Sequence, residues 1–95
     1  MQRAVWKWVL EPALNEISMP RGARILTVQL QGDKPVVWAL VDPNAPCEVR
    51  KLRAVATGIE WSCDAFHYIG TFQFNHAVPL VFHVFEELRD SNEIS

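Results

Sequence analysis

Cysteine is scarce in this 95-residue chain, with two residues, Cys47 and Cys63. Neither belongs to a CxxC pair and no HxxxH pair accompanies them; Cys63-x3-His67 is a usable half-site spacing, but the spacings together match no standard zinc framework. Long apolar runs are missing as well. A run such as residues 79–85 falls far short of the ~20 residues a membrane helix needs, and His83 interrupts it. The opening segment, MQRAVWKWVLEP, has an apolar run split by Lys7 and no small-residue cleavage site, so no signal peptide is read. The expected compartment is the cytosol, where both cysteines are expected as reduced thiols. An excess of one charge is absent too: nine Lys and Arg face eleven Asp and Glu, for a net charge of -2. That balance argues against a surface for duplex nucleic acid, which needs a concentrated basic excess. Nor is there a glycine-rich phosphate cradle, since RGA at Arg21 to Ala23 carries a single glycine.

What is present is a core. Hydrophobic residues make up 49% of the chain and four are tryptophan. A chain of this length forms one domain and can bury enough surface for a single core. The reading is one β-rich domain over residues 1–88, followed by a polar tail, RDSNEIS, at 89–95. Short β-branched and aromatic runs separated by Gly, Pro, Asn and Asp predict strands at residues 4–10, 24–31, 36–41, 47–57, 66–74 and 80–87. Only PALNE, residues 12–16, could support a short helical turn, with proline well placed at its start. Six antiparallel strands with at most that one turn predict a small β-sandwich or open barrel.

The most patterned stretch is TVQLQGDKPVVWALVDP. A two-residue Gly32-Asp33 turn would set Trp38 against Thr27 and Val36 against Gln29. A three-residue loop that includes Lys34 would set Leu30 against Val36, Val28 against Trp38 and Leu26 against Leu40. The second register gathers one wholly apolar face, and burial selects registers. It is therefore the expected one, with Trp38 inside. FHYIGTFQF and PLVFHVFEEL predict a second hairpin around residues 75–79. There Phe72 and Phe74 are expected to face the same way as Tyr68 and Gly70, with Gly70 marking a bulge or a close backbone approach. CEVRKLRAVATG has no cleanly apolar side and is expected at a sheet edge, protected by its charges.

Several residue sets could carry chemistry. Cys47, Cys63, His67 and His83 are permissible zinc ligands, but their spacing favours two small buried or half-buried thiols and no metal. Ser62, Cys63, Asp64 and His67 include the types a thiol nucleophile needs, without a placed base or glycine elbow. Glu86, Glu87 and Asp90 are expected on a solvated face. His83, between Phe82 and Val84, is expected to be a hydrogen-bonded structural residue. The basic residues carry more. Arg21, Arg24, Arg50 and Arg53, with Lys51 nearby, could bind an anion, and Trp61, which no strand pattern demands, could stack on a base. With His67 they form the candidate ligand-binding set. The competing expectation is that the arginines shield edges and pair with Glu48, Glu60 and Asp64.

Four segments taken together, SMPRGARILTVQLQ, VVWALVDP, YIGTFQ and LVFHVFEEL, resemble a family of small proteins, mostly encoded by bacteriophages and prophages, with no assigned function. The likeness runs over roughly residues 5–86, and residues 58–66 depart from it most. It implies a phage-encoded accessory protein in the cytoplasm of the bacterial host. The function expected from both lines is a non-enzymatic binding protein that counters bacterial defence, without cofactor. It would sequester a nucleotide signal or bind a defence protein directly, and a virion structural or assembly role is the alternative. The many aromatics in so small a domain also predict a homo-oligomer.

Overall fold

The structure, a computed structural model, describes residues 2–75 and 79–88. Alternating apolar and polar residues set seven antiparallel strands: β1 (Ala4–Val9), β2 (Leu14–Pro20), β3 (Arg24–Gln31), β4 (Lys34–Val41), β5 (Cys47–Ala56), β6 (Phe66–Phe74) and β7 (Leu80–Glu87). They form a three-stranded sheet, β1-β4-β3, and a four-stranded sheet, β2-β5-β7-β6. The extents of 45 × 34 × 15 Å suit two stacked sheets, which pack about 10 Å apart. The fold is an antiparallel β-sandwich. The tip of the β6–β7 hairpin at residues 76–78, the tail at 89–95 and the candidate carboxylate Asp90 lie outside the described residues.

Each sheet turns one face inward. Val28, Val37, Ala39 and Val41 from the first meet Ile17, Met19, Leu52, Ala54, Phe72 and Val84 from the second. Gly70 packs directly against Val28 of the other sheet. A Cβ there would lie 2.8 Å from Cγ1 of Val28, so only glycine fits without displacement.

Four expectations change. Residues 12–16 make no helical turn: Leu14 already begins β2. Asn15 explains the corner. Its buried amide accepts from the Glu11 N–H at 2.7 Å and donates to the carbonyls of Glu11, Ala13 and Leu52. Side-chain bonds of this kind compete with helix formation.

The first hairpin takes the two-residue register, with Gln31 opposite Lys34, Thr27 opposite Trp38 and Gln29 opposite Val36. Gly32 has φ 66°, and no non-glycine residue among those described has positive φ. A glycine at the first central position with a negative φ after it is the II′ pattern of two-residue hairpins. Val37, Ala39 and Val41 therefore face the core, while Trp38 points outward and is half-buried. A bulge between Ile25 and Thr27 restores Ile25 to the inner side and leaves Leu26 exposed.

β5 is an interior strand, flanked by β2 and β7. Its Arg50 and Arg53 are matched by Glu86 and Glu87 of β7, so they do not guard an edge. A bulge between Tyr68 and Gly70 reverses the alternation of β6. Phe72 and Gly70 thus face inward while Tyr68 faces out. Gly70 serves as both the bulge partner and the close approach.

Candidate functional site

The outer face of the four-stranded sheet concentrates the aromatic and ionic side chains. Cross-strand register aligns Lys51, Glu87 and Phe66 in one row, Arg53, Phe85 and Tyr68 in the next, and Val55, His83 and Thr71 in a third. After β5 the chain turns at Gly58, whose φ is 89°, and residues 59–65 fold back over this face. Trp61 stacks on Phe85 with ring centroids 4.5 Å apart and meets Phe66 at 5.2 Å. Phe66 and Tyr68 each also pack against Phe85. Cys63 Sγ and the Leu88 N–H both donate to the Ala65 carbonyl, which holds the end of the loop against β7.

One carboxylate anchors this cluster. Oε2 of Glu87 accepts from Nε1 of Trp61 at 2.9 Å and from Nε of Arg53. Burial alone would push the Glu87 carboxyl up, and that is the largest single effect. The hydrogen bonds from Arg53 and Trp61, with the positive charges of Arg53 and Lys51, together outweigh it and hold the group below its ordinary value. Trp61 is thereby fixed in orientation by an ionised acceptor, and its indole is stacked and half-buried.

Beside the aromatic cluster runs a chain of polar groups. The Thr57 hydroxyl meets Nε2 of His83 at 2.7 Å, Nδ1 of His83 meets the Thr71 hydroxyl at 3.0 Å, and Thr71 meets the Tyr68 hydroxyl at 2.6 Å. A neutral imidazole donates from one nitrogen and accepts at the other, and hydroxyls can do either. His83 is thus a hydrogen-bonded residue that ties β7 to β6 and to the end of β5.

The inner face holds a separate ion pair. Glu86 is only 8% exposed. It takes the Arg50 guanidinium on both oxygens, and Nη1 of Arg50 donates to the Ala23 carbonyl at 2.9 Å. Hydrogen bonding to Glu86 raises the Arg50 pKa above its ordinary value. Desolvation opposes this, and the attraction of Glu86 and Glu48 adds to it. Glu86 and Glu87 are therefore buried and half-buried partners of arginines, contrary to the expected solvated face. The alternation of LVFHVFEE continues through the acidic pair, and that alternation was the available signal.

The six expected ligand residues do not gather in one place. Arg53 and Trp61 meet at Glu87. Arg50 points to the opposite side of β5. Arg21 sits in the turn before β3, exposed and 3.9 Å from Glu48. Arg24 lies opposite Leu40 on the three-stranded sheet. His67 is exposed on β6 opposite Glu86. Arg50, Arg53 and Arg21 pair with Glu86, Glu87 and Glu48, with no ion pair to Glu60 or Asp64 among the described residues. Cys63 is half-buried as expected, but Cys47 is exposed. Among the described residues no three of the His, Cys, Asp and Glu side chains are arranged to hold a metal ion. No helix among them is long and apolar enough to cross a membrane.

The loop also walls an open groove of about 600 Å³ lined by Ile59, Glu60, Trp61 and Ser62. Its lining has one carboxylate and no cation, so an anionic ligand finds no charge partner there. No curated protein and no solved structure matches the chain significantly. One family model matches it over residues 1–95, and the chain belongs to that family, described as a domain of unknown function (DUF7352).

Proposed function

We propose that this chain is a non-enzymatic binding protein whose recognition surface for a protein partner is the outer face of β2-β5-β7-β6. The observation that carries the reading is the Trp61–Phe66–Phe85–Tyr68 cluster on an open sheet face, where Phe66 and Tyr68 stay 47% and 59% exposed. Trp, Tyr and Arg supply most protein-binding hot spots, and those that dominate are held rigid before binding. Here the stack and Glu87 fix Trp61, and the Thr71 hydroxyl orients Tyr68.

A nucleotide trap would need convergent free cations. Arg50 and Arg53 diverge to opposite faces, and each is matched by a glutamate. Between the two forms of binding protein, the geometry therefore favours a protein target over a sequestered nucleotide. The resemblance to small phage-encoded accessory proteins supports a bacterial defence protein as that target, met in the host cytoplasm.

The test uses the tagged chain as bait in a bacterial lysate, in three forms: unaltered, Phe66→Ser/Tyr68→Ser, and Gln29→Ser on the other sheet as a control. Matching unfolding midpoints establish that all three are folded. The expected result is a stoichiometric partner retained by the unaltered chain and the control and lost by the double variant. Retention of every partner by the double variant would refute the assignment of the face. A nucleotide held one-to-one in native mass spectrometry, with no protein partner, would refute the class of ligand.

A further inference from the structure

β1 is an edge strand, bonded to β4 on one side. The other edge strands carry interruptions: a bulge in β3, a bulge in β6, and in β2 the polar Glu16 and Ser18 followed by Pro20. β1 has none. It pairs with β4 in unbroken register from Ala4 to Val9 and contains no proline. Val5, Trp6 and Val9 are 55%, 40% and 54% exposed. A regular edge of this kind, apolar apart from one lysine that is held toward β3, is a template for another strand.

The free backbone groups of β1 can be assigned. The Leu10 N–H donates to the Pro35 carbonyl at 2.9 Å. Along an antiparallel strand the N–H and C=O of one residue point to the same side, and the side alternates. Ala4, Trp6 and Trp8 therefore bond toward β4. The N–H and C=O groups of Val5, Lys7 and Val9 point to the open edge.

We propose that this edge is a dimerisation surface, and that β1 pairs antiparallel with β1 of a second copy across a two-fold axis at Trp6. The two three-stranded sheets then become one sheet of six. The occupant and the register follow from charge and size. A two-fold axis perpendicular to the sheet sets one residue against its own copy, and the candidates are Val5, Trp6 and Lys7. Centring on Lys7 opposes two ammonium groups and sets Trp6 against Trp8. Centring on Val5 opposes Arg3 and Lys7. Like charges directly opposite are unfavourable.

Centring on Trp6 avoids both conflicts. On the outer face Val5 lies opposite Lys7 of the second copy and Val9 opposite Arg3, so no like charges are opposed. On the inner face Ala4 meets Trp8, small against large, on either side of the Trp6 pair. That central pair is non-hydrogen-bonded, the closer kind, with Cα atoms about 4.5 Å apart. The edge groups of Val5 and Lys7 satisfy one another on both sides of it.

Mass in solution, followed by sedimentation equilibrium over a wide concentration range, tests the proposal. The unaltered chain is expected to dimerise. Val5→Lys creates two Lys–Lys oppositions in this register and should raise the dimer dissociation constant at least about tenfold. Val5→Glu creates two Glu–Lys pairs and should keep or tighten the dimer at low salt. Position 5 is an exposed, outward-facing site, so both variants should fold. In a Cys47→Ser/Cys63→Ser background, Trp6→Cys should oxidise to a covalent dimer, because ~4.5 Å is within disulfide reach. Val5→Cys, placed opposite Lys7, should not. A chain that stays monomeric at every concentration overturns the proposal. So does a dimer indifferent to both charges at position 5, or one that crosslinks through position 5 and not position 6.

Discussion

Replacing Gly70 by alanine adds one methyl group where β6 packs directly against Val28 of β3. The new Cβ would lie 2.8 Å from Cγ1 of Val28, whereas carbon atoms in contact sit near 3.5–4.0 Å. Something must move by the better part of an ångström. Val28 is 3% exposed and in the core, and its β-branched side chain has few rotamers to retreat into. Its backbone N and O are 3.8 Å from the same point, in ordinary contact, so the strain falls on the side chain. Overpacking of this kind costs about 1–3 kcal/mol. Against it stands the ~0.4–1 kcal/mol by which alanine reduces the freedom of the unfolded chain. Gly70 has no positive φ to lose. The steric effect wins, for a net destabilisation of about 1–2 kcal/mol, which in a domain of this size lowers Tm by roughly 4–16 °C.

Urea unfolding of four chains isolates the contact: unaltered, Gly70→Ala, Val28→Ala and the double variant. Val28→Ala alone leaves a cavity and is destabilising. In the double variant the added methyl group enters the space that the valine vacated. The two effects should therefore fail to add, with a favourable coupling of about 1–2 kcal/mol. A Gly70→Ala chain as stable as the unaltered one, or two strictly additive effects, would refute the proximity of β6 and β3 on which the sandwich depends.

The two ion pairs give further predictions. Arg50→Met leaves Glu86 buried without its cation and should cost about 3–5 kcal/mol in urea unfolding, whereas Arg50→Met/Glu86→Leu should recover most of it. For Glu87 the folded pKa is depressed, so its stabilisation is complete above the unfolded value of about 4.3 and disappears as pH falls through the folded value. The stability difference between the unaltered chain and Glu87→Gln should thus be constant near neutrality and shrink below about pH 5. A gap that widened on acidification would contradict the direction of the shift.

The β class and six of the seven strands were legible because β-branched and aromatic runs alternate with turn residues over most of the chain. β2 was not, since Asn15 occupies a core-facing position and PALNE, which contains it, has the composition of a helix start. What hides it is a tertiary fact: the amide reaches the Leu52 carbonyl, 37 residues away. The register of the first hairpin exposed a conflict between pattern and turn. Counting apolar pairs favoured Val28 opposite Trp38. The glycine conformation required by Gly32-Asp33 placed Val37 there instead, and the bulge at Leu26 repaired the phase. Bulges leave almost no trace in a single sequence, and the one after Tyr68 likewise carried Phe72 to the side opposite the expected one. In the candidate site, Trp61 stood out as the tryptophan that no strand required, and it does lie on a sheet face. Glu86 and Glu87 were passed over because acidic residues near a chain end resemble solvated ones.

That acidic pair shapes what the molecule can recognise. Consecutive strand residues point to opposite faces, so Glu86 reaches the inner side of the sheet and Glu87 the outer. β5 presents Arg50 and Arg53, three residues apart and hence also on opposite sides, to meet them. One dipeptide on β7 thereby holds one arginine on each side of β5. Both cations are matched within the fold, and the stack of Trp61 on Phe85 depends on the same Glu87 that holds Arg53. A ligand that drew Arg53 away would leave the half-buried Glu87 carboxylate without its cation, with Trp61 as its remaining hydrogen-bond donor, at a cost in desolvation. A partner that accepts the face as built, with Tyr68 and Phe66 exposed and the charges already paired, meets no such cost. On the proposed reading, this difference is what favours a protein surface over a free anion at the face.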